Sequence, residues 1–371
     1  MKVCLFGTYK ASYNRNSSIR EALKIAGVEV VEVQREFNDE KMELSEDFTI
    51  KSTLWRIARK ITAYFYLMSQ SKKVMAADYI FVLHPGHLDL PFAWIFSKLA
   101  HIPLIFDTSI SPYDTMFIGR SIAPRNSLKA ITVKHIESFL LKFPDKLIVD
   151  TKFMKKFIHN EFNVEDKKIF VVPLGANEQV YKPAKTKPNG KNSKVFFFGL
   201  FQPMHGVQYI LEAAKILKKE KNIEFTILGD GYLKPHFLEF SQKNSLNNVH
   251  FEGFVQEKDL VKYIQNNDII LGVFSQSPIY QRQIPNKVYA ALACKKPLIC
   301  AEYPVLKEEF IHKKHIYYCK VENANSLAIA IKDLAKNKSL QQELSINGYY
   351  LYKQKFTPIK IGKTLLKGIE S

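Results

Sequence analysis

Cysteine is scarce in this sequence, since 371 residues contain only Cys4, Cys294, Cys300 and Cys319. None of them belongs to a C-x-x-C pair, so the sequence supports neither a disulfide scaffold nor a zinc ribbon. Uncharged apolar runs of about 18 residues, the length that a membrane-spanning helix needs, are also missing. The first residues do not resemble a secretory signal peptide. These absences predict a cytoplasmic protein, with attachment to the cytoplasmic membrane surface as the alternative.

Acidic residues are too few to balance the basic ones. The chain has 54 Lys and Arg against 36 Asp and Glu, a formal net charge of +18, within an otherwise ordinary globular composition. Such an excess suits nucleic acid, an anionic membrane or a phosphorylated ligand. Because no recognition helix, zinc finger or RRM-type aromatic signature occurs, we do not expect a nucleic-acid partner. Peripheral association with an anionic membrane and a phosphorylated ligand both remain.

Short apolar runs alternate with longer segments of helical period, which is typical of βαβ units and parallel sheets. The predicted strands are 2–7, 28–33, 79–84, 104–107, 146–149 and 169–172, then 195–199, 224–229, 249–252, 268–274, 297–300 and 316–319. The alternation predicts an α/β protein with two Rossmann-like, doubly wound domains facing each other across a cleft. We expect the first domain over 1–178, a linker over 179–193, the second domain over 194–345 and a helix over 346–371 that returns toward the first domain.

Four segments carry a resemblance to a known family. They are VPLGAN at 172–177, VFFFGLFQPMHG at 195–206, FTILGDG at 225–231 and IPNKVYAALA at 284–293. In this order and spacing they resemble the nucleotide-sugar domain of family 4 (group 1) glycosyltransferases with the GT-B fold. The resemblance implies a hexosyltransferase that retains the anomeric configuration. It also implies a donor site in the second domain.

Glycines and cations mark the predicted donor site. Gly206 opens a helix whose backbone N–H groups and dipole favour a diphosphate, and His205 precedes it. Arg282 and Lys287 flank an Ile-Pro at the start of another helix, where cations suit the same group. The full predicted donor set is Gly7, Gly199, His205, Gly206, Gly229, Asp230, Arg282, Asn286 and Lys287.

The last segment departs from the pattern of many relatives. Those carry two glutamates eight positions apart, and the second typically holds the ribose; here the two positions are Arg282 and Ala290. The Arg-x-Ile-Pro-Asn-Lys form resembles one branch of group 1. The departure affects ribose recognition more than phosphate binding. It also motivates an alternative, a non-catalytic protein that binds sugar nucleotides or glycans.

Polar residues follow two predicted strands of the first domain, where they should face the ligand. We predict catalytic roles for His84, Asp107 and Asp114. We predict acceptor-binding roles for His87, Ser111 and Arg120. A metal site built on His84 and His87 is rejected, because Pro85-Gly86 breaks helical geometry and a third ligand is not evident.

Residues 52–73 form a basic amphipathic segment that we interpret as a core helix of the first domain. The alternative is a membrane-surface helix that recruits a lipid-linked acceptor, which would make the chain a basic membrane-binding protein in the extreme case. The function predicted overall is transfer of a sugar from a nucleotide-diphosphate donor to a glycan or lipid-linked acceptor in cell-surface glycoconjugate or polysaccharide synthesis. We expect no metal and no cofactor, because an Asp-x-Asp motif is lacking and the site has its own cations.

Overall fold

The structure is a computed structural model that describes residues 1–36, 50–184 and 192–371. The chain divides into two compact units. Unit 1 comprises residues 1–174 together with 358–371, and unit 2 comprises residues 175–357.

Unit 1 is built on a six-stranded parallel sheet with the order β2-β1-β3-β4-β5-β6. Its strands are β1 (Lys2–Gly7), β2 (Glu29–Gln34), β3 (Tyr79–Val82), β4 (Leu104–Asp107), β5 (Lys146–Val149) and β6 (Ile169–Val171). Its helices include α1 (Asn14–Ile25), α2 (Ile50–Ser69), α3 (Ser71–Met75), α4 (Leu90–Ala100), α5 (Leu128–Leu140) and α6 (Lys152–Phe162). The direction of the sheet order reverses between β1 and β3, which is where such sheets bind ligands.

Alternate strand residues of unit 1 enter two separate apolar clusters, because side chains alternate across a strand. Phe6, Val82 and Phe106 pack beneath α2 to α6 on one face of the sheet. Leu5 and Phe81 pack beneath α1 on the other face, where the last helix of the chain also lies. Both faces are therefore covered by helices, as expected for a parallel sheet.

Unit 2 has a second six-stranded parallel sheet, ordered β12-β11-β10-β7-β8-β9. Its strands are β7 (Ser193–Phe198), β8 (Ile223–Leu228), β9 (Val249–Glu252), β10 (Ile269–Leu271), β11 (Leu298–Ala301) and β12 (Tyr317–Cys319). Its helices include α7 (Val207–Ile216), α8 (Lys234–Lys243), α9 (Glu257–Asn266), α10 (Asn286–Ala293), α11 (Pro304–Glu309), α12 (Ala324–Lys336) and α13 (Lys338–Lys355). Here the sheet order reverses between β7 and β10.

The predicted fold class is confirmed, since two parallel doubly wound sheets are present and all twelve predicted strands occur. Two predicted strand ends are wrong by more than one residue: β3 stops at Val82 rather than 84, and β10 stops at Leu271 rather than 274. Leu83 follows β3 as a buried apolar residue outside the sheet. Beyond β10 the backbone still pairs with β11, because the Gly272 N–H donates to the Ile299 carbonyl and the Ala301 N–H donates to the Val273 carbonyl. Residues 185–191 of the predicted linker lie outside the described residues, and Ser193 already belongs to β7.

Two helices occupy the last part of the chain, α13 and α14 (Pro358–Glu370). Pro358 is the first residue of α14, a position that tolerates proline because its N–H would be unpaired there. Ile361, Leu365 and Ile369 of α14 are buried against β1 and α1 in unit 1. No helix within the described residues is long and apolar enough to cross a bilayer.

Candidate functional site

The loop after β7 and the segment after β10 meet at the reversal point of the second sheet. The N–H of Phe274 donates to the carbonyl of His205 at 3.1 Å. Gly206, the residue before α7, has a φ of +71°, and a Cβ there would lie 2.7 Å from the backbone nitrogen of Ser275. Glycine is needed at this position for both its backbone conformation and this close approach. The sequence therefore places the start of α7 against the end of β10.

Lys287 is the central cation of this edge. It is the second residue of α10 and is 7% exposed, and its Nζ lies 5.0 Å from the ring centre of Phe197 in β7. Among the described residues its ammonium has no hydrogen bond and no ion pair with a carboxylate. Burial lowers the pKa of Lys287 to about 8, so the amine is mostly charged at neutral pH. A buried cation without a counter-ion is costly, which indicates a site built for an anion.

Gly199 gives the Lys287 side chain room at the end of β7. Its φ is +147°, and a Cβ on Gly199 would lie 2.7 Å from Lys287 Nζ and 3.3 Å from His205 Cε1. The structure thus brings Gly199, His205 and Lys287 together. The sequence predicted all three as donor-site residues.

His205 is held by its own loop. Its Nδ1 lies 2.5 Å from the carbonyl oxygen of Leu200, which can only accept, so Nδ1 carries the proton. Burial and the neighbouring Lys287 ammonium lower the pKa of His205 to about 3. The free ring is therefore neutral, with Nε2 as an acceptor. Donation from Nε2 to a phosphate oxygen requires that the ring takes up a proton.

The other predicted donor residues lie around the same sheet edge. Gly229, after β8, packs so closely that a Cβ would lie 2.0 Å from the Gly199 carbonyl oxygen. Asp230 is engaged by Lys234 Nζ at 2.9 Å, and this hydrogen bond lowers the pKa of the Asp230 carboxyl. Arg282 is half-buried just before α10, and Asn286 is exposed as the first residue of α10. These residues supply packing and polar groups around Lys287.

In unit 1, the centre of the carboxyl edge is a buried ion pair that the sequence analysis missed. Arg15 Nε donates to Asp107 Oδ2 at 2.9 Å, and Arg15 Nη1 donates to the carbonyl of Val172 at 2.8 Å. Ser109 Oγ donates to the other Asp107 oxygen at 2.6 Å. Asp107 is completely buried. Its carboxylate is thus held by Arg15 and Ser109, an arrangement that favours a positioning role, and the predicted catalytic role stays a prediction.

His84 lies close to the Arg15–Asp107 pair and has a ring nitrogen without a hydrogen-bond partner among the described residues. Its Nδ1 is buried and has no hydrogen-bond partner among the described residues. Burial lowers the pKa of His84 to about 4, although the Asp107 carboxylate opposes that effect, so the ring is neutral at pH 7. A neutral imidazole with an unpaired nitrogen can accept a proton or a hydrogen bond.

Asp150 is a second residue that sequence reasoning missed. It directly follows β5, is 9% exposed, and its Oδ1 has no hydrogen-bond partner among the described residues. Burial raises the pKa of Asp150 to about 7, with Arg15 opposing the effect. A signal was available, since Asp150 follows a predicted strand just as Asp107 ends one.

The remaining predicted residues of unit 1 are divided between buried and exposed positions. His87 is buried, with Nε2 3.6 Å from Glu137 Oε1. Ser111 Oγ accepts from the Asp114 N–H at 3.1 Å, which makes both residues part of a tight turn. Arg120 is exposed.

Gly7, after β1, faces a carboxylate. A Cβ on Gly7 would lie 2.4 Å from Asp89 Oδ2, and the same oxygen accepts from the Thr8 N–H at 2.7 Å. Burial raises the pKa of Asp89. The loop after β1 is therefore fixed by Asp89. Within the described ranges, no group of three His, Cys, Asp or Glu side chains is placed to hold a metal ion.

Comparisons with known proteins agree with this geometry. Residues 180–350 match the family model of glycosyl transferases group 1. This stretch, 171 of the 371 residues, is thus similar to that family. An uncharacterized glycosyltransferase from Methanocaldococcus jannaschii is 22% identical over 296 residues, which cover 78% of this chain and 76% of the relative.

Solved glycosyltransferase structures share the whole fold. Anabaena HepE in complex with UDP-glucose has a TM-score of 0.72 at 14% identity and covers 100% of this chain and 99% of its own. Sucrose-phosphate synthase from Thermosynechococcus elongatus has a TM-score of 0.74 at 14% identity and covers 100% of this chain and 98% of its own. The fold of this chain is therefore GT-B.

Proposed function

We propose that this chain moves a hexose from a nucleotide-diphosphate donor to a hydroxyl of a glycan or lipid-linked acceptor in cell-surface glycoconjugate or polysaccharide synthesis. The reaction proceeds with retention at the anomeric carbon and without a metal ion. HepE, which shares the fold, was solved with UDP-glucose, and this supports a nucleotide-sugar donor.

The observation that carries the proposal is the Lys287 ammonium. It is buried at the start of α10, beside the end of β7, and has no anionic partner among the described residues. When the bond between the sugar and the diphosphate breaks, negative charge develops on the departing diphosphate oxygens. A fixed cation in a dry environment stabilises that charge more than water does. Arg282 and the N-terminal ends of α7 and α10 add to the same field.

In unit 1, we assign His84 to the acceptor. As the acceptor oxygen bonds to the anomeric carbon, its proton must leave, and the half-buried, neutral His84 ring can take it. Asp107 is a weaker candidate, because Arg15 and Ser109 already occupy its oxygens. Asp107 instead fixes Arg15 beside this group.

A nucleotide panel tests the donor site. UDP, GDP, ADP and CMP are added to the full chain and the melting temperature is measured. A ligand at about 100 times its Kd stabilises the folded state by about 2.7 kcal/mol, which raises the melting temperature by several degrees. We expect one nucleoside diphosphate to do so in the wild type and the shift to vanish in Lys287→Met and Arg282→Ala. Lys295→Met, just beyond the other end of α10, is the matched control.

Product analysis tests the reaction itself. Transfer from the identified donor should continue in EDTA, and the anomeric proton coupling in the first-formed product should match that of the donor. Because Ala290 stands where many relatives have glutamate, the alternative is a sugar-nucleotide binding protein without activity. Nucleotide binding with neither donor hydrolysis nor transfer above background would favour that alternative.

A further inference from the structure

In the helical part of unit 1, most of the acidic side chains are buried. Residues 50–142 contain 12 Lys and Arg and 5 Asp and Glu. Four of the five acids are buried: Asp89, Asp107, Asp114 and Glu137. The fifth, Asp78, lies beside the first residues of β1. Helices α2 to α5 therefore carry a basic excess, and Glu161 of the neighbouring α6 pairs with Lys134 of α5, with Nζ and Oε1 2.6 Å apart.

Helix α5 has four exposed apolar side chains on its outer side, together with the exposed Thr132 and His135. Leu128 is 81% exposed and Phe139 is 59% exposed, with Ile131 and Ile136 exposed between them. These side chains point away from the buried Ala130, Glu137 and Leu140 of the same helix. Such a face is costly in water unless something covers it. We call these four apolar residues, together with the exposed Arg125, Lys129 and Lys142, the α5 face.

Half-buried rings connect α5 with the neighbouring helices. Phe139 contacts Phe143 with ring centres 5.1 Å apart, and Phe143 contacts Trp94 of α4 at 5.3 Å. Tyr64 of α2 stacks on Phe92 of α4 at 4.3 Å. Exposed apolar side chains continue along these helices at Phe65, Ile95 and Leu99. Exposed apolar side chains thus occur on three helices that these ring contacts connect.

Helix α5 also reaches the predicted acceptor residues from its inner side. Glu137 Oε2 accepts from the N–H of Tyr113, the residue before Asp114, at 2.9 Å. Its other oxygen lies 3.6 Å from His87 Nε2. One helix therefore has the predicted acceptor residues on its buried side and an apolar, basic surface on its outer side.

We propose that the α5 face, continued over α4 and α2, docks on an anionic lipid bilayer. Apolar side chains flanked by Lys and Arg are the composition of a helix that lies in a membrane interface. A second copy of this chain fits the surface poorly, because a two-fold interface would set the same uncompensated basic residues against each other. The docking surface does not include the donor site. The proposal rests on the proposed function in one respect only, which is that docking would bring the predicted acceptor residues near lipid.

Vesicle co-sedimentation of the full chain tests the proposal, with phosphatidylglycerol–phosphatidylcholine vesicles against pure phosphatidylcholine. Each Lys or Arg near an anionic surface strengthens binding about fivefold, so Arg125→Ala/Lys129→Ala/Lys142→Ala should weaken it about 100-fold. Leu128→Glu/Phe139→Glu should abolish binding at both low and high salt. Because the Leu128→Glu/Phe139→Glu variant keeps the basic residues, it distinguishes insertion of apolar side chains from electrostatic attraction alone.

Matched control variants change exposed lysines and exposed apolar residues of unit 2. Lys215→Ala/Lys219→Ala/Lys221→Ala deletes three exposed lysines, and Ile216→Glu/Ile329→Glu alters two exposed isoleucines. Both should bind vesicles like the wild type, and all variants should keep the wild-type nucleotide shift. Equal weakening in the unit 2 controls, or no binding of the wild type to anionic vesicles at low salt, would overturn the proposal. So would a wild-type dimer that the Leu128→Glu/Phe139→Glu variant converts to a monomer.

Discussion

Arg15 and Asp107 form a buried ion pair at the carboxyl edge of the first sheet, with Nε and Oδ2 2.9 Å apart and 92 residues between them in the chain. Because Arg15 also donates to the Val172 carbonyl, it ties α1, β4 and the end of β6 together. The pair fixes the ends of three elements beside His84.

Breaking this pair should strongly destabilise the protein. We expect Arg15→Met or Asp107→Leu alone to lower the free energy of unfolding by about 3–5 kcal/mol, because each leaves an uncompensated buried charge. The double variant should lose less than either single variant. Urea denaturation measures all three. Lys155→Met, which removes the exposed pair with Asp166, is the control and should cost less than about 1 kcal/mol.

The charge of Lys287 should make nucleotide binding pH-dependent. Above pH 8, its pKa in the free protein, the amine loses its proton and its attraction for a diphosphate. The Kd measured by calorimetry should therefore rise with pH from about 8, by up to tenfold per pH unit, and should not rise in Lys287→Met. A wild-type Kd that is flat between pH 7 and 10 would contradict the assignment of Lys287.

The free energy of unfolding should increase with pH because of Lys287, whereas nucleotide binding should weaken. Its pKa is lower in the folded state than the ordinary value of 10.5, so the unfolded chain binds more protons between pH 8 and 10.5. The free energy of unfolding of the wild type should rise over that window. Lys287→Met should lack this rise and be at least as stable at pH 7, since it removes an unpaired buried charge.

Binding of the nucleoside diphosphate should cause protonation of His205. The free ring is neutral at pH 7, and a phosphate oxygen at Nε2 needs a donor there. Calorimetry at pH 7 in buffers of different ionisation enthalpy should show uptake of up to one proton, and His205→Asn should remove it. Equal heats in all buffers would mean that Nε2 accepts a hydroxyl of the ligand instead.

Gly199 should be required for binding beyond its backbone conformation. A Cβ there meets Lys287 Nζ at 2.7 Å, so Gly199→Ala should displace the ammonium and abolish the nucleotide-induced rise in melting temperature. Gly27→Ala is the control, because Gly27 also has a positive φ of +79° but has nothing within 4 Å of a Cβ. It should cost only about 1–2 kcal/mol of backbone strain. If Gly199→Ala and Gly27→Ala affected nucleotide binding equally, backbone strain alone would explain the loss of binding.

The sequence predicts the fold well because parallel strands are short apolar runs that are buried on both faces. The predicted bounds of β1, β4, β5 and β9 agree with the structure to the residue. Prediction is weaker where the chain stays apolar after a strand ends, as it does at the buried Leu83 after β3. The glycines around the donor site were predictable because each sits at a strand end or a helix start.

Long-range pairing could not be predicted in the same way. Arg15 lies in the polar first turn of α1, and nothing local shows that it is 5% exposed and bound to Asp107. The outer face of α5 was missed for the related reason that a helical pattern alone does not tell which apolar side chains reach the core. Lys287 was predicted from its motif, but only the three-dimensional structure shows that no carboxylate of the described residues pairs with it.

The helix α14 belongs to unit 1, although the whole of unit 2 precedes it in the chain. During synthesis, residues 175–357 can therefore complete their own core before unit 1 can. Until residues 358–371 leave the ribosome, Leu5 and Ile19 lack the Ile361 and Leu365 side chains that cover them. The first unit to begin emerging is thus the last to become complete, and a nascent chain stalled before α14 would present an exposed apolar strip to chaperones.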